Sequence, residues 1–223
     1  MKKLTIQNLL RSSFILIISY ANIFITCVAF YFTTCQAFAA PSLEQYRSDL
    51  QAIESYLNNI KNLSAKFSQK SSGGNVEGKF FLARVEGASG KMRVEYLAQP
   101  KILIVVNGAV LSYQDIELDE ISHLSTNTTP ASFLTRPNIS FSAKDIEITN
   151  IKKSANEIKI SLIKKNRKEA GEFSLTFALN PLKFIKMEVK NDVDQTVSVT
   201  LSNIDFTTEI PDQLFVIKNK NLP

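Results

Sequence analysis

The feature that most constrains this 223-residue chain is a hydrophobic alternation of period two that begins near Leu63 and returns, run after run, as far as Leu201. Successive side chains of a strand point to opposite faces, so this period marks strands with one buried face. Phe80, Leu82 and Arg84 share one face of such a strand, and Phe81 and Ala83 share the other. Met92, Val94 and Tyr96 form the next set, followed by the wholly apolar run 102–106. Ile158, Ile160 and Leu162 repeat the pattern, as do Phe173, Leu175, Phe177 and Leu179. It recurs in Ile185, Met187 and Val189, and again in Val197, Val199 and Leu201. Turn signals separate the runs: Gly73-Gly74, Asn107-Gly108, Asn166-Arg167 with Gly171, Asn180-Pro181 and Asn191-Asp192. Many short strands spaced in this way predict one large antiparallel sheet, curled or closed, in a single domain without internal repeat or linker.

Only one long helix is legible. Ser42-Leu43-Glu44-Gln45 reads as a capping box, and Leu43, Tyr46, Leu50, Ile53, Leu57 and Ile60 then recur at steps of three and four. Asn58, Asn59 and Asn62 mark its end. A short second helix is expected to start at Thr129-Pro130-Ala131-Ser132-Phe133-Leu134, with Pro137 stopping it. An apolar sheet face needs cover, and these helices are thin cover for about ten strands. A filled interior and an apolar hollow beneath a helical lid both satisfy the pattern.

The N-terminus has the form of an export signal. Lys2, Lys3 and Arg11 precede an apolar run at 14–32, no acidic residue occurs before Glu44, and Ala37-Phe38-Ala39 is a small-x-small exit. These features predict a signal peptide over 1–39, cleaved after Ala39, and a periplasmic product. The rival reading is an uncleaved anchor, since about 20 apolar residues span a bilayer, but Ser19, Asn22 and Thr26 interrupt the run. Both cysteines, Cys27 and Cys35, lie in the leader. The leader's three cations contribute to the formal +5, and residues 40–223 keep 23 basic against 21 acidic side chains, a net of +2. That balance gives no nucleic-acid footprint. The remaining 184 residues are enough for a core without disulfides.

Catalytic and metal chemistry find no support. His123 is alone, in an acidic-to-polar region expected to be loop, and a single histidine makes no metal set. Gly87-Ala88-Ser89-Gly90-Lys91 imitates a phosphate loop, but Val85 and Met92 occupy two of its required positions. The cluster Asp115, Glu117, Asp119 and Glu120 lacks the glycine of a calcium loop and reads as a solvated hairpin. No cofactor motif is present. Lys164, Lys165, Arg167 and Lys168 form a basic turn that either meets an acidic surface or is simply solvated. Arg84 closes an apolar strand face, and its five donors go either to backbone carbonyls of a lid or to water.

Several segments, taken in order, resemble the outer-membrane lipoprotein carrier proteins, the LolA family. They are Leu63-Ser64-Ala65-Lys66-Phe67-Ser68-Gln69 and Gly78-Lys79-Phe80-Phe81-Leu82-Ala83-Arg84, then Lys91-Met92-Arg93-Val94-Glu95-Tyr96. The hairpin at 100–113, Thr129-Pro130-Ala131 and Ile210-Pro211-Asp212-Gln213-Leu214-Phe215 follow, so the resemblance covers 43–217. It implies an α+β fold, an unclosed antiparallel β-barrel of about ten or eleven strands with a helical lid over an apolar cavity. It also implies a monomeric carrier without enzymatic activity, cofactor or metal. Such a carrier takes lipoprotein acyl chains from an inner-membrane ABC-type releasing complex and delivers them to an outer-membrane acceptor. The family's lid-latching arginine falls on Arg84, although Val85 stands where the family has proline and 86–90 lengthen the loop. The cavity lining expected from this resemblance is Phe80, Leu82, Met92, Val94, Tyr96 and Ile104, with Phe133 and Leu134 on the lid. The competing readings are a general periplasmic lipid-binding or structural module on the same scaffold, and an interaction protein with a filled core.

Overall fold

Eleven antiparallel strands form one sheet in the computed structural model, which describes residues 43–129, 131–191 and 193–217. The expected leader over 1–39 with its cut after Ala39, the Ser42 cap, Pro130 and Asp192 lie outside the described residues. The chain divides into units at 1–46 and 47–223. In the first, Leu43–Tyr46 form a 3-10 turn. The second opens with helix α1 (Arg47–Asn59), which buries Ile53 and Leu57 as the apolar stripe predicts.

The strands are β1 (Asn62–Ser71), β2 (Gly74–Ala83), β3 (Lys91–Tyr96), β4 (Ile102–Asn107), β5 (Val110–Asp115) and β6 (Glu120–Ser125). After a 3-10 turn at Thr126–Thr128 and the one-turn helix α2 (Ala131–Leu134) come β7 (Ile146–Lys153), β8 (Glu157–Lys164), β9 (Glu172–Leu179), β10 (Leu182–Lys190) and β11 (Thr196–Asp205). Their order in the sheet is β6-β5-β4-β3-β2-β1-β11-β10-β9-β8-β7, so β6 and β7 are its two free edges. The strap 126–145 connects them. His123, expected in a loop, sits in β6, whose exposure along nearly its whole length hides any alternation. The acidic cluster does make the β5–β6 hairpin, where Asp115 Oδ1 accepts from Glu117 N and Leu118 N at 3.0 and 3.1 Å.

The sheet curls. Seven strand spacings separate β5 from β9, roughly 34 Å in a flat sheet at about 4.8 Å each, yet Leu111 of β5 and Phe173 of β9 line one cavity. The result is an unclosed barrel whose inner face carries the main core, including Leu63, Phe80, Leu82, Ile160, Leu175 and Phe177. The outer face has a smaller core of its own. Leu103 and Val105 pack with Ile210 and Phe215 of the C-terminal segment, against Phe81 and Ala83. This accounts for the apolar character of both faces of β4: one serves the interior and the other is covered by residues 210–215.

Gly78 shows how tightly the inner face is fitted. It pairs with Phe67 on one side and Tyr96 on the other, and those two rings meet edge-to-face across it, 5.4 Å apart. A Cβ at this position would lie 2.2 Å from the Glu95 carbonyl oxygen and 2.3 Å from the Phe67 ring.

Candidate ligand-binding cavity

Between the inner face and the strap lies an apolar cavity of about 200 Å³. Phe80, Met92, Val94, Tyr96, Ile104 and Leu134 are in its wall. Leu82 lies elsewhere on the same face and Phe133 on the strap, each 2% exposed. Phe133 packs on Phe141 with ring centres 5.5 Å apart and borders a void of only about 20 Å³ beside Arg136 and Lys164. Phe67, Leu111 and Thr129 complete the near wall, and Phe173, Met187, Val189 and Val199 form the far one. Those far residues belong to alternating runs, so their inward parity was readable. What the alternation does not encode is which strands face each other across the hollow.

The polar groups at the wall are paired. Tyr96 Oη donates to Gln69 Oε1 at 2.8 Å. Burial, with the neighbouring Tyr113 adding to it, pushes the Tyr96 hydroxyl above its usual range, against the opposing pull of the Gln69 bond. The site thus presents hydrocarbon to a ligand, with no fixed charge in its wall.

The strap is held to the scaffold through its backbone. Arg84, next after the end of β2, donates from Nη1 to Leu134 O and from Nη2 to Arg136 O, both at 2.7 Å. Longer contacts from Nη2 reach Asn58 Oδ1 at 3.4 Å and Pro137 O at 3.5 Å. These carbonyls cluster where α2 ends, the helix terminus at which unpaired C=O groups attract a cation. Burial lowers the Arg84 pKa, but a guanidinium in a protein stays charged. Among the described residues no carboxylate forms an ion pair with Arg84, so a half-buried cation rests on neutral acceptors alone.

Further along, Asn58 of α1 grips Ile139 twice, donating to its carbonyl and accepting from its N–H, each at 2.8 Å. One turn earlier, Glu54 Oε1 accepts from Phe141 N and from Ser140 Oγ. On the near side, Gly90 N donates to Thr135 O at 2.8 Å, and Lys164 Nζ to Asn127 O at 2.8 Å. Of the basic turn, Lys164 reaches the strap, and Lys165, Arg167 and Lys168 are exposed. Asn58 and Glu54 escaped sequence reasoning because Asn58 passes for a helix stop and Glu54 for a solvated helix face.

Residues 58–218 match the model of the family described as outer membrane lipoprotein carrier protein LolA. The chain belongs to this family. Its members are binding or carrier proteins and are periplasmic. An uncharacterized protein of Rickettsia prowazekii (strain Madrid E) is 23% identical over 201 residues, covering 90% of this chain and 88% of its own length. A putative outer membrane lipoprotein-sorting protein domain from Vibrio parahaemolyticus superposes with a TM-score of 0.49 at 8% identity, over 75% of this chain and 94% of that one. MucB in the MucA/MucB complex from Pseudomonas aeruginosa gives a TM-score of 0.43 at 10% identity, over 77% and 60%. Among the described residues no helix is long and apolar enough to cross a membrane.

Proposed function

We propose that this protein is an exported periplasmic carrier, processed after Ala39, that binds the acyl chains of lipoproteins in the cavity and conveys them between the two membranes. In this reading it acts as a monomer, accepts cargo from an inner-membrane ABC-type complex and yields it to an outer-membrane acceptor. Phe80, Met92, Val94, Tyr96, Ile104 and Leu134 form the acyl site, Leu82 supports it from the sheet and Phe133 from the strap, and Arg84 is the latch of the strap.

The observation that carries the reading is the combination of an uncharged apolar hollow with a strap fastened through its backbone, Arg84 donating to two of its carbonyl oxygens. Burial of hydrocarbon stabilises by about 0.8 kcal/mol per CH₂, so an acylated protein crosses water only with its chains covered. The hollow, at about 200 Å³, is smaller than the roughly 300–1,000 Å³ of sites that enclose a drug-sized ligand. In this reading acyl chains enlarge the hollow by lifting the strap, and Arg84 gives up its carbonyls as they do. A latch that closes on itself when the site is empty lowers net affinity, which lets a carrier release what it has extracted.

Purification of the mature protein from its native periplasm, followed by mass spectrometry of what comes with it, tests the reading. Acylated lipoproteins in the bound fraction are expected. Recovery of free phospholipid or fatty acid alone would sink the carrier role and leave a general lipid-binding module.

A further inference from the structure

The two free edges of the sheet are built differently. β7 is blunted: its ladder with β8 shifts register between Ile148 and Asn150. The strand ends in exposed Lys152 and Lys153, the latter 2.7 Å from Asp49. β6 has none of these devices. Six successive pairs join it to β5 without a shift, and Glu120–Ser125 contains no lysine, arginine or proline. Natural sheets guard free edges with lysine, proline or bulges because unpaired ladder groups template another strand.

The phase of the ladder identifies those groups. Thr126 N donates to Ala109 O at 2.9 Å, so residues 120, 122 and 124 turn their backbone toward β5. Ile121 and His123 turn their N–H and C=O outward, where no described strand pairs with them. The cavity-side face runs out to this edge. Leu124 lies opposite Leu111 and Ser122 opposite Tyr113, with Leu124 53% and Tyr113 38% exposed. Leu111 is in the cavity wall, and so is Thr129, just past the end of β6.

We propose that β6 is the docking edge for the extended peptide that trails an acyl chain held in the cavity, which adds to the sheet as a further strand through the outward groups of Ile121 and His123. The proposal rests on the acyl-carrier reading above. A residue whose acyl group passes Leu111 begins its main chain beside β6. Main-chain pairing is indifferent to side-chain sequence, as a carrier of many different cargo peptides requires. A second copy on this edge would instead cover Tyr113 and Leu124, the exposed continuation of the cavity wall.

The test compares three probes by calorimetry on the mature protein: palmitate, a palmitoylated cysteine peptide with a short Ser/Thr tail, and the same lipopeptide N-methylated at alternate tail amides. The unmethylated lipopeptide is expected to bind at least tenfold more tightly than the methylated one. His123→Pro, tolerated where the strand N–H faces outward, should erase that difference and leave palmitate affinity unchanged. Equal affinity of the two lipopeptides on the unaltered protein overturns the edge proposal and leaves the cavity reading standing. Failure of all three probes to bind overturns both. A ligand-free dimer in sedimentation equilibrium that His123→Pro dissolves assigns the edge to a second copy and overturns the proposal for cargo.

Discussion

Replacing Arg84 by leucine removes the cation and keeps an apolar stem of similar reach. The closed strap then loses two bonds of 2.7 Å, to Leu134 O and Arg136 O, and two weaker contacts near 3.5 Å. Hydrogen bonds from a charged donor contribute about 1.5–3 kcal/mol each. Arg84 is only half-buried, so the lower figure applies and the latch is worth about 3 kcal/mol in all. The open strap never made these bonds, so the whole loss falls on the closed state and moves the closed-to-open ratio by about a factor of 100. A ligand that requires the open state then binds up to about 100-fold more tightly, and leaves correspondingly more slowly. The assay is titration of a fluorescent acyl lipopeptide, with transfer to acceptor liposomes measured in parallel. Arg84→Lys, a single point charge without the planar fork, should fall between. An Arg84→Leu protein that stays folded and binds the lipopeptide no more tightly than the unaltered chain would refute the latch.

Val94 stands in the cavity wall of a chain that has no tryptophan. Val94→Trp should fill the hollow and reduce acyl binding at least tenfold with less than about 2 kcal/mol lost in a urea melt, since the extra volume has space to enter. Gly78→Ala should destabilise by about 2 kcal/mol or more, read as a lower urea midpoint, because the new methyl group meets the Glu95 carbonyl and the Phe67 ring. Asn58→Ala leaves both backbone groups of Ile139 without their partner; a loss of about 2–3 kcal/mol is expected, with faster hydrogen exchange at Ile139 as the local readout. Hydroxyls of Thr207 and then Thr208 hold the Asp205 carboxyl at about 2, below its ordinary 3.8. Its contribution is therefore complete above about pH 5 and lost as the pH falls through 2, so Asp205→Asn should flatten the decline of Tm across that window.

The alternation that made the sheet legible is strongest where one strand face is buried and the other wet, and it fails at the edges. β6 has Ile121 and Leu124 three apart, because neither of its faces is fully covered. In β7 the pattern Ile146, Ile148, Ile151 slips by one at the bulge that follows Ile148. The period-two reading thus misses both edge strands, β6 being anticipated only as part of the solvated hairpin at the acidic cluster, although the nine between them were readable as strands or as parts of hairpins. The cavity was half legible for a related reason. Phe80, Met92, Val94 and Ile104 come from strands adjacent in sequence, whereas Met187, Val189 and Val199 arrive only because β11 pairs with β1. That long-range pairing is fixed by the curl of the whole sheet and has no local signal.

The strap carries few signs of its own fastening, and its anchors explain why. Arg84, Asn58 and Lys164 all bind strap backbone, and Glu54 binds one N–H besides a serine hydroxyl. The strap's side chains are therefore free to face the interior: Phe133, Leu134, Ile139 and Phe141 are all buried. Its sequence records what it covers, and the scaffold records how it is held. The anchors also differ in kind along its length. Around Ile139 to Phe141, α1 supplies two side chains one turn apart, Asn58 both donating and accepting and Glu54 accepting twice. Around Leu134 and Arg136 a single side chain, Arg84, supplies both short side-chain bonds. An opening at the end of α2 has to break the two short Arg84 bonds and the backbone bond from Gly90 N to Thr135 O. Because the cation there faces neutral carbonyls, added salt has little opposing charge to screen, and the release of that end depends on what enters beneath it more than on the ionic strength around it.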